Sequence, residues 1–452
     1  TVMDFDPEEK KRQCSLSTAF APLEWRDTKI NLLDAPGKFD FEGGVSEAMR
    51  AAECALIVTS AGSGFDVGAE KAIKAADARG IAKFFAITKL DAENTDFYKT
   101  FEALKAEVGS KLCPVVIPHV VGGKVESYIN LCSNKAFKYE KGKATVIDIP
   151  NDEHISAMKD ILMEAVASVD DDLMMKFFDG EELTKEEIID GLTKGVEQGE
   201  IYPVYGCSGT TLEGVDLLLD ALVFSAPSPA QAGCEKAEND AGEEIDVKCD
   251  PNGPLAAICF KTVADPFVGK MSFVKVISGK ITADVPAFNA STGESERMGK
   301  LISVRGNKQE DIAAITAGDI GVITKLSGLG TGDTICNAKN IIRLKGVSFP
   351  APSLSMAIVV KKKGEEDKVA SGLRRIMGED PTVGFATNEE TREMILSGLG
   401  EQHLDIVLAK LKTKFGVEID LKIPRVAYRE TIRKKCQVQG RHKKQSGGSG
   451  QF

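Results

Sequence analysis

The sequence predicts an α/β multidomain chain, and three observations carry that prediction. Strands and helices alternate over the first 110 residues, short strand-like runs fill 255–344, and a strand–helix–strand–helix–strand rhythm occupies 355–422. Alternation with apolar strands argues for a parallel sheet covered on both faces. Strands and turns at short spacing favour a β-barrel. The last rhythm is that of a ferredoxin-like α+β unit. A length of 452 residues accommodates about three such domains, taking one per roughly 100–200 residues.

In the first domain, residues 28–33 and 54–59 are short apolar strand candidates. Residues 69–79 read as a helix with Ala69, Ile73 and Ala76 on one face. A strand over 81–87 and a helix over 96–108 follow. From about 112 to 200 the pattern is interrupted by a small polar strand pair at 139–149 and amphipathic helices at 152–180 and 184–198. The sheet resumes at 201–205, with its helix at 212–224, so an inserted subdomain is the simplest account. Pro227-Ser228-Pro229 ends the block, because paired prolines cannot continue a helix. The expected spans are 1–230 for the first domain, 231–253 for a linker and 254–345 for the barrel. The α+β domain takes 346–428, and 429–452 begins a fourth domain. The segment 234–253 is acidic and poor in aromatics, which suits an exposed linker or loop.

Composition narrows the function. A net charge of −11 argues against coating nucleic acid through bulk charge. Local contacts to nucleic acid remain open, since binding depends on local phosphate neutralisation. Arg433-Lys434-Lys435 and Arg441-His442-Lys443-Lys444 form such a basic patch, or a solvated tail. The ten cysteines form no C-x-x-C pair and only four histidines occur, which disfavours structural zinc. Reduced thiols in a cytoplasmic protein fit better than a disulfide framework. No apolar run reaches the roughly 18 residues of a membrane span, and no signal-peptide pattern opens the sequence.

Two strand ends carry chemistry. Asp34-Ala35-Pro36-Gly37 follows an apolar strand. An Asp there can hold Mg²⁺ through water, and a following Gly lets the backbone approach a γ-phosphate. The same four residues also make an ordinary turn. Thr88-Lys89-Leu90-Asp91 ends another apolar strand. A carboxylate at Asp91 can accept from guanine N1–H and the 2-amino group, while the Lys89 stem lies along the base. A solvated loop end is the plainer reading of either motif alone, and their pairing is what points to a nucleotide. Gly206-Cys207-Ser208-Gly209, between a strand and a helix, offers backbone N–H groups to a ligand or is a plain turn. No G-x-x-x-x-G-K-[ST] phosphate loop occurs in the sequence. His403 reads as a structural histidine opening a helix, with a general base as the alternative.

The order and spacing of these motifs resemble translation elongation factor G and related translational GTPases, over essentially the whole chain. Residues 9–19, with Arg12-Gln13-Cys14-Ser15, resemble switch I; residues 34–38 resemble Asp-Thr-Pro-Gly-His; residues 88–91 resemble Asn-Lys-x-Asp; Ser208-Gly209 resembles the Ser-Ala that backs the guanine. Residues 265–270 and 331–334 are similar to domain II, 379–382 and 397–404 to domain III, and 445–452 to the opening of domain IV. The resemblance implies GTP/GDP and Mg²⁺ as cofactors. Asp34, Gly37, Thr88, Lys89, Asp91, Ser208 and Gly209 would bind nucleotide, with Ser15 and Asp34 on the metal. It also implies the ribosome, through rRNA and ribosomal proteins, as partner of a cytoplasmic monomer without membrane contact. It places the opening residues just past a phosphate loop, with most of domain IV and domain V beyond the last residue. Four departures stand out. Gln13 replaces a Gly in the switch I-like segment. Ser15 replaces a Thr but keeps a hydroxyl. Thr88 replaces Asn. Lys38 replaces the catalytic His, and an ammonium has no acceptor with which to orient water. The implied function is GTP hydrolysis coupled to conformational change in translocation or recycling. The alternative is a GTP-binding ribosome ligand or protection factor with weak or no hydrolysis.

Overall fold

Four apolar strands form the parallel part of a seven-stranded sheet. Its order is Cys54–Ser60, Ala82–Thr88, Tyr202–Gly206, Leu112–Val121, Lys124–Asn130, Lys135–Glu140, Lys143–Ile147. The first four run parallel, and the last three continue antiparallel. The computed structural model describes residues 2–265, 268–283 and 286–440. Ala82–Thr88 is buried nearly throughout, as a strand covered on both faces must be. Its one charge, Lys83, lays its stem in the core and brings its ammonium to Asp77 at 2.7 Å. Helices Val67–Arg79 and Phe97–Val108 are started by the side chains of Asp66 and Asp96, which accept backbone N–H groups.

Leu112–Val121 belongs to this parallel sheet, so the excursion expected from about residue 112 leaves only after Val121. The reason is burial: the first seven residues of that strand are covered. The helix expected over 152–180 is two, Glu153–Ala167 and Asp171–Phe178. Asp170 breaks it by turning its carboxylate onto the Asp172 N–H.

The strand ending at Asp34 stands apart from the parallel sheet. Thr28–Asp34 pairs antiparallel with Ala19–Trp25 as a separate two-stranded sheet. Arg26 and Asp27 both take positive φ, the geometry of a tight two-residue hairpin. Trp25 Nε1 donates to Asp220 at 2.7 Å, pinning the hairpin tip to the helix Val215–Ser225. Among the described residues, the outer edges of Thr28–Asp34 and Cys54–Ser60 have no strand partner. Leu32 and Val58 are exposed on them.

The expected linker is folded. Cys234–Asn239 and Glu244–Lys248 make a hairpin that pairs onward with Ile342–Leu344. Ala237 and Val247 point inward, against Ala256, Ile258 and Cys336, while the charged neighbours face out. Alternation of only two apolar residues was enough to seat it. Beyond it lies an eight-stranded antiparallel sheet that includes Ala256–Asp265, Gly269–Ser278 and Ile320–Thr324, with a small two-stranded sheet on the same core. Pro266 and Phe267 of the domain II-like signature fall outside the described residues.

The third domain is a four-stranded antiparallel sheet, ordered Gly384–Thr387, Met394–Gly398, Leu354–Val360, Ile419–Lys422. Helices Glu366–Glu379 and Glu401–Phe415 pack on it through Leu373, Ile376, Leu404, Val407 and Leu411. It has one strand more than the rhythm suggested, because Gly384–Thr387 and Met394–Gly398 are a hairpin. Residues 423–440 form no helix or strand, and Arg433-Lys434-Lys435 are exposed there. The remainder of the basic patch, 441–444, and the domain IV-like segment 445–452 lie outside the described residues. No described helix is long and apolar enough to cross a membrane. All ten cysteines are free thiols.

Candidate functional site

Parallel strands bring their C-terminal ends to one edge, and loops there converge on a ligand. Ser60 lies opposite Thr88, and Ile87 opposite Gly206. From this edge the chain turns through Lys89, at φ 62°, to Asp91. Ser208, two residues past the end of Tyr202–Gly206, donates its hydroxyl to Asp91 Oδ1 at 2.6 Å. The Ser208 oxygen in turn accepts the backbone N–H groups of Thr210 and Thr211, at 3.2 and 3.1 Å. The Ser208 hydrogen bond holds the Asp91 carboxyl below its ordinary pKa. Asp91 is therefore an anion, held by Ser208 and backed by its own N–H and the Thr210 side chain. Thr88 bonds toward the buried Cys207 thiol, which ties two neighbouring loops together. Gly209 is open, with nothing near its Cα hydrogens.

The second cluster surrounds Asp34. Ser15 donates its hydroxyl to Asp4 Oδ1 at 2.8 Å. Crowding by protein atoms, and then the charge of Asp4, push the Asp34 carboxyl above its ordinary pKa. Buried Glu9 accepts the backbone N–H groups of Asp6 and Leu16, each at 3.1 Å, and so folds this segment around the helix Pro7–Arg12. Gln13 ends that helix in the left-handed region, at φ 52°, where a glycine carries no steric cost. Among the described residues no cluster of three or more His, Cys, Asp or Glu side chains is placed to hold a metal alone.

Past Gly37 the chain turns toward the third domain. Lys38 Nζ donates to Gln402 Oε1 at 3.2 Å. Asp40 Oδ2 accepts the N–H groups of Gln402 and His403, at 2.8 and 3.2 Å. The helix Glu401–Phe415 has no capping side chain of its own, so Asp40 caps it from another domain. Phe41 meets the His403 ring edge-on. His403 Nδ1 accepts the Leu399 N–H at 3.0 Å, so Nε2 carries the proton shared with Asp380, also 3.0 Å away. Burial alone would raise the Asp380 pKa, but hydrogen bonds from His403 and Thr382 hold it well below its ordinary value.

The structure thus joins Asp91 with Ser208 and Ser15 with Asp4, whose charge is felt at Asp34. It turns Lys38 away to Gln402 and leaves Gly37 open. Sequence reasoning missed Asp40, and it placed Asp380 and Gln402 in domain III-like motifs without giving them a role. Their partners across the chain are not marked by those motifs.

Three family models match along the chain. They are the elongation factor Tu GTP binding domain over residues 1–228, elongation factor G domain 2 over 254–338, and elongation factor G domain III over 349–423. This chain belongs to the elongation factor G-like translational GTPases. A crystal structure of a protein from Thermus thermophilus is similar, with a TM-score of 0.82 and 29% sequence identity. The match covers 94% of this chain and 62% of that one. The elongation factor G-like chain therefore spans less than two thirds of that relative's length. Its GTPase family implies guanine-nucleotide binding; Asp91 and Ser208 pair at the C-terminal edge of the parallel sheet.

Proposed function

We propose that this chain is the nucleotide-reading core of a translation factor that acts on the ribosome and couples GTP hydrolysis to a conformational change. The observation that carries the reading is the ionised Asp91 held by Ser208 at the C-terminal edge of a parallel sheet. Such a carboxylate selects guanine because adenine offers it no paired donors. Lys89, Thr88 and Gly209 complete the base side of the pocket. Gly37, open and directly after Pro36, offers its backbone N–H to a phosphate.

Mg²⁺ fits the second cluster. It takes oxygen ligands and is held by one or two carboxylates together with phosphates and waters. Ser15 and Asp34 offer only oxygens, and burial followed by the charge of Asp4 raises the Asp34 pKa, a shift that a bound cation would oppose. The ion, when bound, would neutralise phosphate charge. The coupling element is residues 38–41, which run from the phosphate side to the cap of the domain III helix.

A second reading has its own support: a GTP-binding ribosome ligand with weak or no hydrolysis. Lys38 cannot accept a hydrogen bond from water, and its ammonium is turned to Gln402. Hydrolysis by the full-length protein, with and without ribosomes, separates the two. Ribosome stimulation supports the first reading, and its absence together with a gain in Lys38→His supports the second. Competition between GTP and XTP in Asp91→Asn tests the base pocket common to both. The cytoplasm is the compartment that ribosome action implies.

A further inference from the structure

A cavity of about 350 Å³ lies between the GTPase domain and the second domain. Arg50 enters it from the helix Glu42–Ala51 and Arg79 from the helix Val67–Arg79. Glu235 and Lys275 come from the strands Cys234–Asn239 and Gly269–Ser278. The Arg50 side chain is only 4% exposed. Its Nε donates to the Lys345 carbonyl at 2.8 Å. Nη2 stands 3.1 Å from Glu235 Oε1 as an ion pair, yet neither Nη1 nor Nη2 has a hydrogen-bond partner. Arg79 approaches the other oxygen of the same carboxylate at 3.7 Å, and its buried Nε is also unpartnered. Lys275 is committed elsewhere, to Glu53 at 2.7 Å and the Gly318 carbonyl at 2.9 Å.

Two guanidiniums therefore share one carboxylate, and the Arg50 side chain does so almost wholly buried. Buried cations are costly unless paired and hydrogen-bonded. Burial pushes Arg50 below its ordinary pKa; Glu235 opposes this, and the like charge of Arg79 adds to it. The unsatisfied N–H groups are of the fork type that matches oxyanions in two-point contact.

We propose that this cavity binds a small phosphate-bearing oxyanion between the Arg50 and Arg79 guanidiniums. Such an anion satisfies the unpartnered N–H groups and neutralises the excess positive charge. It also ties two helices of the GTPase domain to the hairpin Cys234–Lys248. Glu235 is then an internal competitor for the same donors. The lining includes none of the residues assigned to nucleotide, so the inference stands apart from the GTP reading.

The test is calorimetric titration of inorganic phosphate into the protein, repeated with glycerol phosphate. Saturable binding is expected in the wild type. Arg79→Gln, a substitution at a partly exposed side chain, should weaken it about tenfold or more. Glu235→Gln should tighten it, and should lower the melting temperature only in phosphate-free buffer. Asp34→Asn should leave the isotherm unchanged. Tighter binding of the ester assigns an organic phosphate; equal binding assigns the free ion. The proposal is overturned by the absence of saturable binding in the wild type. It is equally overturned by an isotherm that Arg79→Gln and Glu235→Gln leave unmoved, or by one that moves with Asp34→Asn instead.

Discussion

Asp91 and Asp40 are both carboxylates that accept protein hydrogen bonds shortly after the end of an apolar strand, but they answer to different parts of the molecule. Asp91 takes its bond from Ser208, and both hang from neighbouring strands of one sheet. Their spacing is set by the strand ladder before any ligand arrives. Asp40 takes its bonds from two amides of the third domain. Its position is only as fixed as the contact between two domains. On the proposed function, the comparison teaches where recognition and movement are divided. A base-reading corner gains from being rigid, because specificity needs preset geometry. A segment that must report on a phosphate gains from leaning on a body that can separate from it.

The largest effect is expected at the rigid end. Asp91→Asn should shift the preference between GTP and XTP by about two orders of magnitude or more, because the pocket's acceptor becomes partly a donor. A competition assay that shows unchanged selectivity removes Asp91 from the site and collapses the comparison. Next comes Lys38→His, which restores an acceptor on the segment that faces domain III. Ribosome-stimulated hydrolysis should rise by at least about tenfold; an unchanged rate in a single-turnover assay would mean that the chemistry does not pass through position 38.

A smaller effect is expected from Asp40→Ala. Loss of the borrowed cap should cost about 1 kcal/mol, read as faster hydrogen exchange at the Gln402 and His403 amides, with guanine selectivity intact. If selectivity fell as well, the two regions would not be separable. The smallest effect is pH-dependent. The Asp380 carboxyl has a folded pKa below its unfolded value, which is about 3.9 for a free Asp. Its stabilising contribution is complete above that unfolded value and is lost as pH falls through it toward the folded one. Asp380→Asn should therefore lower stability at neutral pH and flatten the acid limb of an unfolding curve. Parallel acid limbs in the two proteins would contradict the His403–Asp380 assignment.

The rigid region was largely legible in the sequence and the leaning one was not. Asp91, Lys89 and Ser208 each sit just beyond an apolar run, and strand-end acids and hydroxyls are local signals. The docking of Asp40 on Gln402 joins residues 362 positions apart, which no periodicity records. The hairpin at residues 234–248 hid because its strands are short, charged and anchored by little more than Ala237 and Val247. The break at Asp170 hid because the apolar spacing continues across it. The hairpin pairing of Thr28–Asp34 depended on two positive-φ residues, Arg26 and Asp27, that lack the usual glycine.

A Cβ at residue 400 would lie 2.5 Å from the Asp40 carboxylate. The absent side chain of one domain is thus the seat for the charge of another. In the language of inheritance, the two positions form a single locus split across the gene. A change at codon 400 to anything larger than glycine displaces the Asp40 carboxylate from its seat, so each codon limits what the other can do.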